Sequence, residues 1–302
     1  MLKNRRLVYT DAYMVDIGNH VFPTEKYKLV KDLLVKNDGF RKENFIEPKP
    51  AEDEDVLLAH TKDYLDKWKN GRLSFEEQLQ LELPYSRELF EASLLCVEGT
   101  IMASRFALKD MVGIHIGGGF HHAFPDHGEG FCVFNDIAIA IKRLFKERLI
   151  KKAMVIDCDL HQGNGTAFMF QGDKDVFTFS IHQENNYPFP KIPSSMDIGL
   201  EDGADDERYL SELRRHVPSI LKAINPDLAI YVAGADPYKE DQVGKLGLTI
   251  EGLSERDELI FNLCGKYNVP TAIVLAGGYA LKKEDTAKIH YNTVKAGLKN
   301  AR

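Results

Sequence analysis

Five short apolar runs constrain the fold of this chain more than any other feature: MVGIHI (111–116), AMVIDCD (153–159), DVFTFSIH (175–182), LAIYVAG (228–234) and TAIVLAG (271–277). Most are apolar at consecutive positions, which means both faces are covered, as in the strands of a parallel sheet. Longer amphipathic stretches lie between them, and residues 86–107, 135–148, 205–223 and 252–267 are expected to be helices. Ser86 and Asn135 stand at plausible N-cap positions. Alternating strands and helices predict a three-layer α/β/α arrangement around a mostly parallel sheet. No Pro-, Gly- or Ser-rich linker interrupts the chain, so residues 1–302 are expected to form a single domain. The acidic segments AEDED (51–55) and LEDGADDE (200–207) read as solvated loops.

The residues after each run point to a site. The first run leads through Gly117–Gly119 to His121 and His122, the second ends in DCDLHQGNG and the third in SIHQ. The fourth leads to AGADPY and the fifth to GGYA. An open parallel sheet binds ligands outside the carboxyl ends of its strands. Here those ends gather His, Asp, His, Asp and Tyr.

In extended chain, alternate side chains share a direction, so Asp157, Asp159 and His161 can converge. Two carboxylates beside an imidazole repel unless a cation lies between them or one has another partner. Metal binding resolves the conflict, with Asp159 and His161 as ligands and Asp236 of GADPY as the third. The competing reading has these aspartates capping the helix that follows. Three protein ligands with an open position are the pattern of a catalytic metal site. The set is richer in oxygen than most zinc sites, so Fe²⁺ or another divalent ion stays open beside Zn²⁺. Asp157 is then free to orient His121 or His122, and the amide of Asn164 can serve the other. Adjacent imidazoles with unlike partners would titrate apart, as acid–base chemistry requires. Tyr279, after a glycine hinge, can reach into the cleft and stabilise an oxyanion.

Composition narrows the compartment and partners. The formal net charge of −7 argues against direct nucleic-acid binding. No segment approaches the roughly 20 apolar residues of a membrane span, and MLKNRRLVYTDAYMVDIGNH lacks the apolar core of a secretion signal. The four cysteines form no CxxC pair. An intracellular, cytoplasmic protein is expected (nuclear if eukaryotic).

Together GGGFHHA…GFCVFNDIA, DCDLHQGNGT, GADPYKEDQVGKLGLT and AGGYA resemble the histone deacetylase superfamily, in matching order from about Tyr9 to Tyr279. NHVFPTEKYKLV and SRELFEASL look most like its short, class IV-like and bacterial branch. The resemblance implies hydrolysis of an acyl-lysine amide, or of a small N-acyl amine such as an acetylpolyamine, by metal-activated water. It implies Zn²⁺ on Asp159, His161 and Asp236, His122 as general base and then acid, and His121 as an electrostatic partner paired with Asp157. Asn164 would orient His122, Tyr279 would polarise the carbonyl, and Gly130, Phe131 and Phe189 would line the acyl-lysine tunnel. A family K⁺ site implies oxygens from Asp157, Asp159, His161, Ser180 and Ile181.

Two features depart from many relatives. LELPYSREL (81–89) shows no clear counterpart of the acidic rim residue that grips the substrate backbone, and Asn164 replaces the Asp of class I members. The rivals are a two-metal ureohydrolase, for which too few carboxylates are well placed, and a protein that binds acyl-lysine without turnover. His20, His60, His127, His216 and His290 read as surface or loop residues, His115 as a core residue and His182 as a neighbour of the site.

Overall fold

The apolar runs become the central strands of one sheet. A computed structural model of the protein describes residues 6–300, so both extremities of the expected 1–302 span lie outside the description. The strands are β1 (Leu7–Val8), β2 (Phe45–Ile46), β3 (Val112–His115), β4 (Ala153–Asp157), β5 (Val176–Gln183), β6 (Met196–Leu200), β7 (Leu228–Val232) and β8 (Thr271–Val274). They lie in the order β2-β1-β3-β8-β7-β4-β5-β6, and every pairing is parallel. The helices are α1 (Lys26–Asp38), α2 (Asp53–Val56), α3 (Lys62–Lys69), α4 (Phe75–Leu81), α5 (Arg87–Asp110), α6 (Asp136–Lys146), α7 (Asn164–Met169), α8 (Asp206–Ile224), α9 (Ile250–Lys266) and α10 (Lys283–Asn300).

Parallel strands need crossovers, and the helices that supply them cover both faces. On one face Met154, Ile156, Tyr231 and Ile273 pack with Leu213, Phe261 and Val294 of α8, α9 and α10. On the other, Val155, Ile230 and Val274 pack with Ile101 of α5, Ile137 of α6 and Trp68 of α3. The alternation along β4 therefore divides two apolar layers, giving the three-layer α/β/α architecture expected. Ser86 caps α5 by accepting from Leu89 N at 3.0 Å, and Asn135 caps α6 by accepting from Ala138 N at 2.9 Å. The four cysteines are buried and free. Among the described residues no helix is long and apolar enough to cross a membrane.

Some expectations need correcting. AEDED carries the start of α2, and its Asp55 is buried against Arg143 at 2.5 Å, so it is not simply a solvated loop. His60 and His290 are buried rather than on the surface. His60 Nε2 accepts from Asn135 N at 2.9 Å and so supports the turn into α6.

Candidate active site

The first, second, fourth and fifth strand ends converge. Between β3 and α6, the glycine loop is pinned by Asp136, whose carboxylate accepts from Gly119 N at 3.0 Å and Phe120 N at 2.8 Å. Gly119 has φ +91°, and a Cβ there would lie 2.7 Å from Ala276 Cα, so only glycine lets this loop cross so close to the chain after β8. Thr166 N donates to His121 O at 3.0 Å and holds the loop from the α7 side. His121 and His122 are thereby presented side by side, with ring centroids 4.1 Å apart.

Each imidazole has its own partner. His121 Nδ1 lies 2.8 Å from Asp157 Oδ2, and His122 Nδ1 lies 2.7 Å from Asn164 Oδ1. Burial opposes charge on His121, but Asp157 and Asp159 outweigh it and carry the group up to about 9. Burial, then the charges of His121 and His161, push His122 well below the usual imidazole range. The Asn164 oxygen can only accept, so the His122 proton sits on Nδ1 and Nε2 is left with a free lone pair. Adjacent imidazoles are thus one charged and one neutral.

Asp159, His161 and Asp236 form the group with metal-ligand geometry, their donor atoms all within 4.8 Å of one another. His161 Nδ1 lies 3.3 Å from Asp159 Oδ1 and 3.4 Å from Asp236 Oδ2. Leu160 N donates to Asp236 Oδ1 at 3.0 Å, and Gly277 N donates to Asp159 Oδ2 at 2.9 Å. Asp236 Oδ2 is buried without a hydrogen-bond donor, which such an atom ordinarily has. Burial and repulsion by Asp159 push Asp236 up to about 6; burial lowers His161, but both carboxylates outweigh it and lift the group to about 10. A divalent cation at the shared point relieves both by replacing protons, so the residues fit a metal.

Tyr279 closes the opposite side. Its N–H donates to Asp241 Oδ2 at 2.7 Å and its carbonyl accepts from Gln242 Nε2 at 2.8 Å. Burial, then Asp236 and Asp159, keep the phenol protonated well above its ordinary range, so it remains a donor. A cavity of about 20 Å³ lies among His121, His122, Asp159, His161 and Tyr279, and Gly130 and Phe131 also border it.

Phe131 stands 5.8 Å, centroid to centroid, from the ring of Tyr279. Phe189 does not join it: its side chain is 73% exposed, with Lys191 over the ring. Tyr187 supplies the facing aromatic wall instead, 4.9 Å from the ring of His122 and 6.0 Å from that of His161. Asp157 stands opposite Ser180 in the β4–β5 ladder, which brings the oxygens expected to hold a monovalent cation onto neighbouring segments. His182, beside them, shares a proton with Ser180 Oγ at 2.9 Å. His115 is buried between Tyr13 and Thr100.

Sequence reading also missed two carboxylates. Glu129 accepts from Asn164 Nδ2 at 2.7 Å and from the Tyr187 hydroxyl at 2.5 Å. Glu82, in the segment read as lacking an acidic rim residue, adopts φ +62°, and its carbonyl meets His20 Nε2 at 3.0 Å. Burial raises its carboxyl, while His20 and His161 pull the other way, so it lies within electrostatic reach of the centre.

Comparison with known proteins finds relatives over most of the chain. Residues 20–295 match the histone deacetylase domain. An uncharacterised protein of Picosynechococcus sp. is 38% identical over 285 residues, covering 94% of this chain and 95% of its own. Histone deacetylase 2 of Arabidopsis thaliana is 30% identical over 90% of this chain and 74% of its own, and the acetoin utilization protein AcuC of Staphylococcus aureus is 30% identical over 86% and 72%. The crystal structure of the HDA15 HD domain superposes with a TM-score of 0.80 at 21% identity, over 97% of this chain and 90% of that one.

Proposed function

This chain belongs to the histone deacetylase family, and from that premise we propose that it is a zinc-dependent hydrolase removing an acetyl group from the ε-amine of lysine. A deacetylase-type hydrolase follows from the family itself. The observation that carries the finer reading is the meeting of a neutral imidazole, a buried ligand triad and a protonated phenol on one cavity. We read residues 1–302 as one catalytic domain, which the single sheet and the family match over 20–295 support.

Asp159, His161 and Asp236 would hold the metal, read as Zn²⁺ from the family. When bound, it supplies a Lewis acid that acidifies water and polarises a carbonyl. His122 Nε2 takes the proton of the attacking water, and its Nδ1–H stays bound to Asn164. Charge developing on the substrate oxygen accepts from the Tyr279 hydroxyl. His121, held by Asp157, keeps a positive charge beside His122 and so makes the imidazolium formed there a stronger acid. That imidazolium then returns its proton to the leaving amine. Phe131 and Tyr187 exclude water from the lysine methylenes. The cavity of about 20 Å³ exceeds the roughly 10–15 Å³ a water needs, which leaves room for the attacking water.

An all-oxygen set drawn from Asp157, Asp159, His161, Ser180 and Ile181 supports a K⁺ site under the metal ligands. Its hard donors suit a monovalent cation, and the ladder register supports the assignment.

The test is acetate release from an acetyl-lysine peptide by zinc-loaded protein and by Tyr279→Phe. Loss of one oxyanion donor is expected to lower kcat by about 10²–10³ with KM little changed. Retention of most of the turnover would remove Tyr279 from the mechanism. An acetylpolyamine hydrolysed faster than the peptide would move the substrate to a small N-acyl amine.

A further inference from the structure

Within the deacetylase reading, on which this inference rests, the carboxylate that governs the His122 proton does not touch His122. We propose that Glu129 is a positioning residue that acts through the amide of Asn164 to fix the tautomer of the general base.

An Asn amide has two orientations that exchange its oxygen and nitrogen. In the observed one, Oδ1 faces His122 Nδ1 at 2.7 Å and Nδ2 donates to Glu129 Oε1 at 2.7 Å. Turning the amide would set its oxygen against the Glu129 carboxylate, two acceptors with no proton between them. It would also point N–H groups at His122 Nδ1, which would then have to accept. The ring proton would move to Nε2, the atom that takes the proton from water, and the base would be lost. Glu129 makes that alternative costly because an ionised carboxylate only accepts.

The carboxylate is itself well held. Oε1 also accepts from the Tyr187 hydroxyl, and Oε2 accepts from Gln80 Nε2 at 3.3 Å and lies 3.6 Å from His127 Nε2. Burial raises the group, but donors from His127, Tyr187, Asn164 and Gln80 outweigh it and hold it down to about 2. The backbone of Glu129 exchanges hydrogen bonds with Cys132, at 3.2 and 2.9 Å, and this tight loop also carries Gly130 and Phe131. One residue thus ties together the base, the tunnel loop and the Tyr187 wall. The charge thus stands one amide away from the base.

Glu129→Gln keeps the shape and removes the charge, and a neutral amide tolerates either orientation of Asn164. In zinc-loaded protein it is expected to lower kcat on an acetyl-lysine peptide about tenfold or more, with KM within about twofold, as expected of a charge-assisted bond. Asn164→Asp reverses the logic. An Asp at 164 cannot present N–H groups to His122, so Glu129 is no longer needed there and becomes a repelling neighbour. Adding Glu129→Gln to Asn164→Asp is therefore expected to raise kcat several-fold over Asn164→Asp alone. A residue that merely braced the loop would cost activity in both backgrounds, and parallel losses would overturn the proposal. ¹⁵N resonances of the His122 ring give a readout free of turnover. They are expected to report a proton on Nδ1 in the parent and a mixture of tautomers in Glu129→Gln; an unchanged Nδ1–H signal would also overturn it. If the parent hydrolyses no N-acyl amide, the deacetylase reading fails, and the ring resonances still decide whether Glu129 governs the imidazole.

Discussion

At the scale of single residues, extended backbone brings alternate side chains to one side and so assembles the site. Asp157, Asp159 and His161 alternate along one segment, and the structure keeps them on one side, with Asp236 reaching them from β7. Hydrogen-bond partners that depend on folding were invisible in the sequence. Glu129 sits in a glycine-rich loop, where a carboxylate reads as solvated, and nothing local marks it as the partner of Asn164. Phe189 and Tyr187 lie two residues apart among prolines, and only the path of the chain decides which ring turns inward. Gly277 is a silent member of the site. A Cβ there would lie 2.0 Å from Asp236 Oδ2 and 2.6 Å from Asp159 Oδ2, inside contact distance of both ligand oxygens. Gly277→Ala is expected to spread these carboxylates and weaken zinc binding about 10–100-fold, the range seen when groups that orient ligands are disturbed. Titration against a chelator measures this, and an unchanged affinity would argue that Asp159 and Asp236 do not share a metal.

At the scale of elements, the long buried strands and helices were legible and the edges were not. The five apolar runs became β3, β4, β5, β7 and β8, several ending a few residues earlier than expected. Asp159 and Asp236 lie just beyond β4 and β7, where the chain has left the ladder to form the site. β1 and β2 have two residues each, too few for any periodicity, and β6 reads MDIGL, with Asp and Gly against strand propensity. The departing segments need support, and α9 provides it. Its fully buried Arg256 donates to Cys158 O at 3.1 Å and Gly234 O at 2.7 Å, one carbonyl on each ligand-bearing segment. Arg256 also neutralises the buried Asp257, which accepts in addition from Tyr231 and Thr293. Arg256→Met is expected to cost about 3–5 kcal/mol by leaving Asp257 without its cation, and to weaken zinc binding by loosening both segments. Urea denaturation with a midpoint near the parent's would contradict this account of how α9 supports the site.

At the scale of the whole molecule, the buried ionisable groups set a pH dependence. Burial is the first cause that holds His60 and His115 at about 3 and His182 at about 4, and it also pushes His122 and His290 down. These five stay neutral in the fold and take protons on unfolding below about pH 6.5. Asp236 and Asp241, raised by burial to about 6 and about 7, work in the opposite direction. Near pH 5 the unfolded chain therefore binds more protons from this set, so stability falls as pH falls. Above pH 6.5 the sign reverses, because His121 at about 9 and His161 at about 10 keep protons that the unfolded chain releases. Metal changes this balance by displacing the protons of His161 and, below about pH 6, of Asp236 as well. Each displaced proton makes zinc affinity rise about tenfold per pH unit, and zinc stabilises only the folded state. The melting temperatures of zinc-loaded and zinc-stripped protein are therefore expected to lie close together at pH 5 and to separate steadily through pH 6.5 to pH 8. A gap that does not change with pH would mean that the metal displaces no protons, and Asp159, His161 and Asp236 would then not be the residues that hold it.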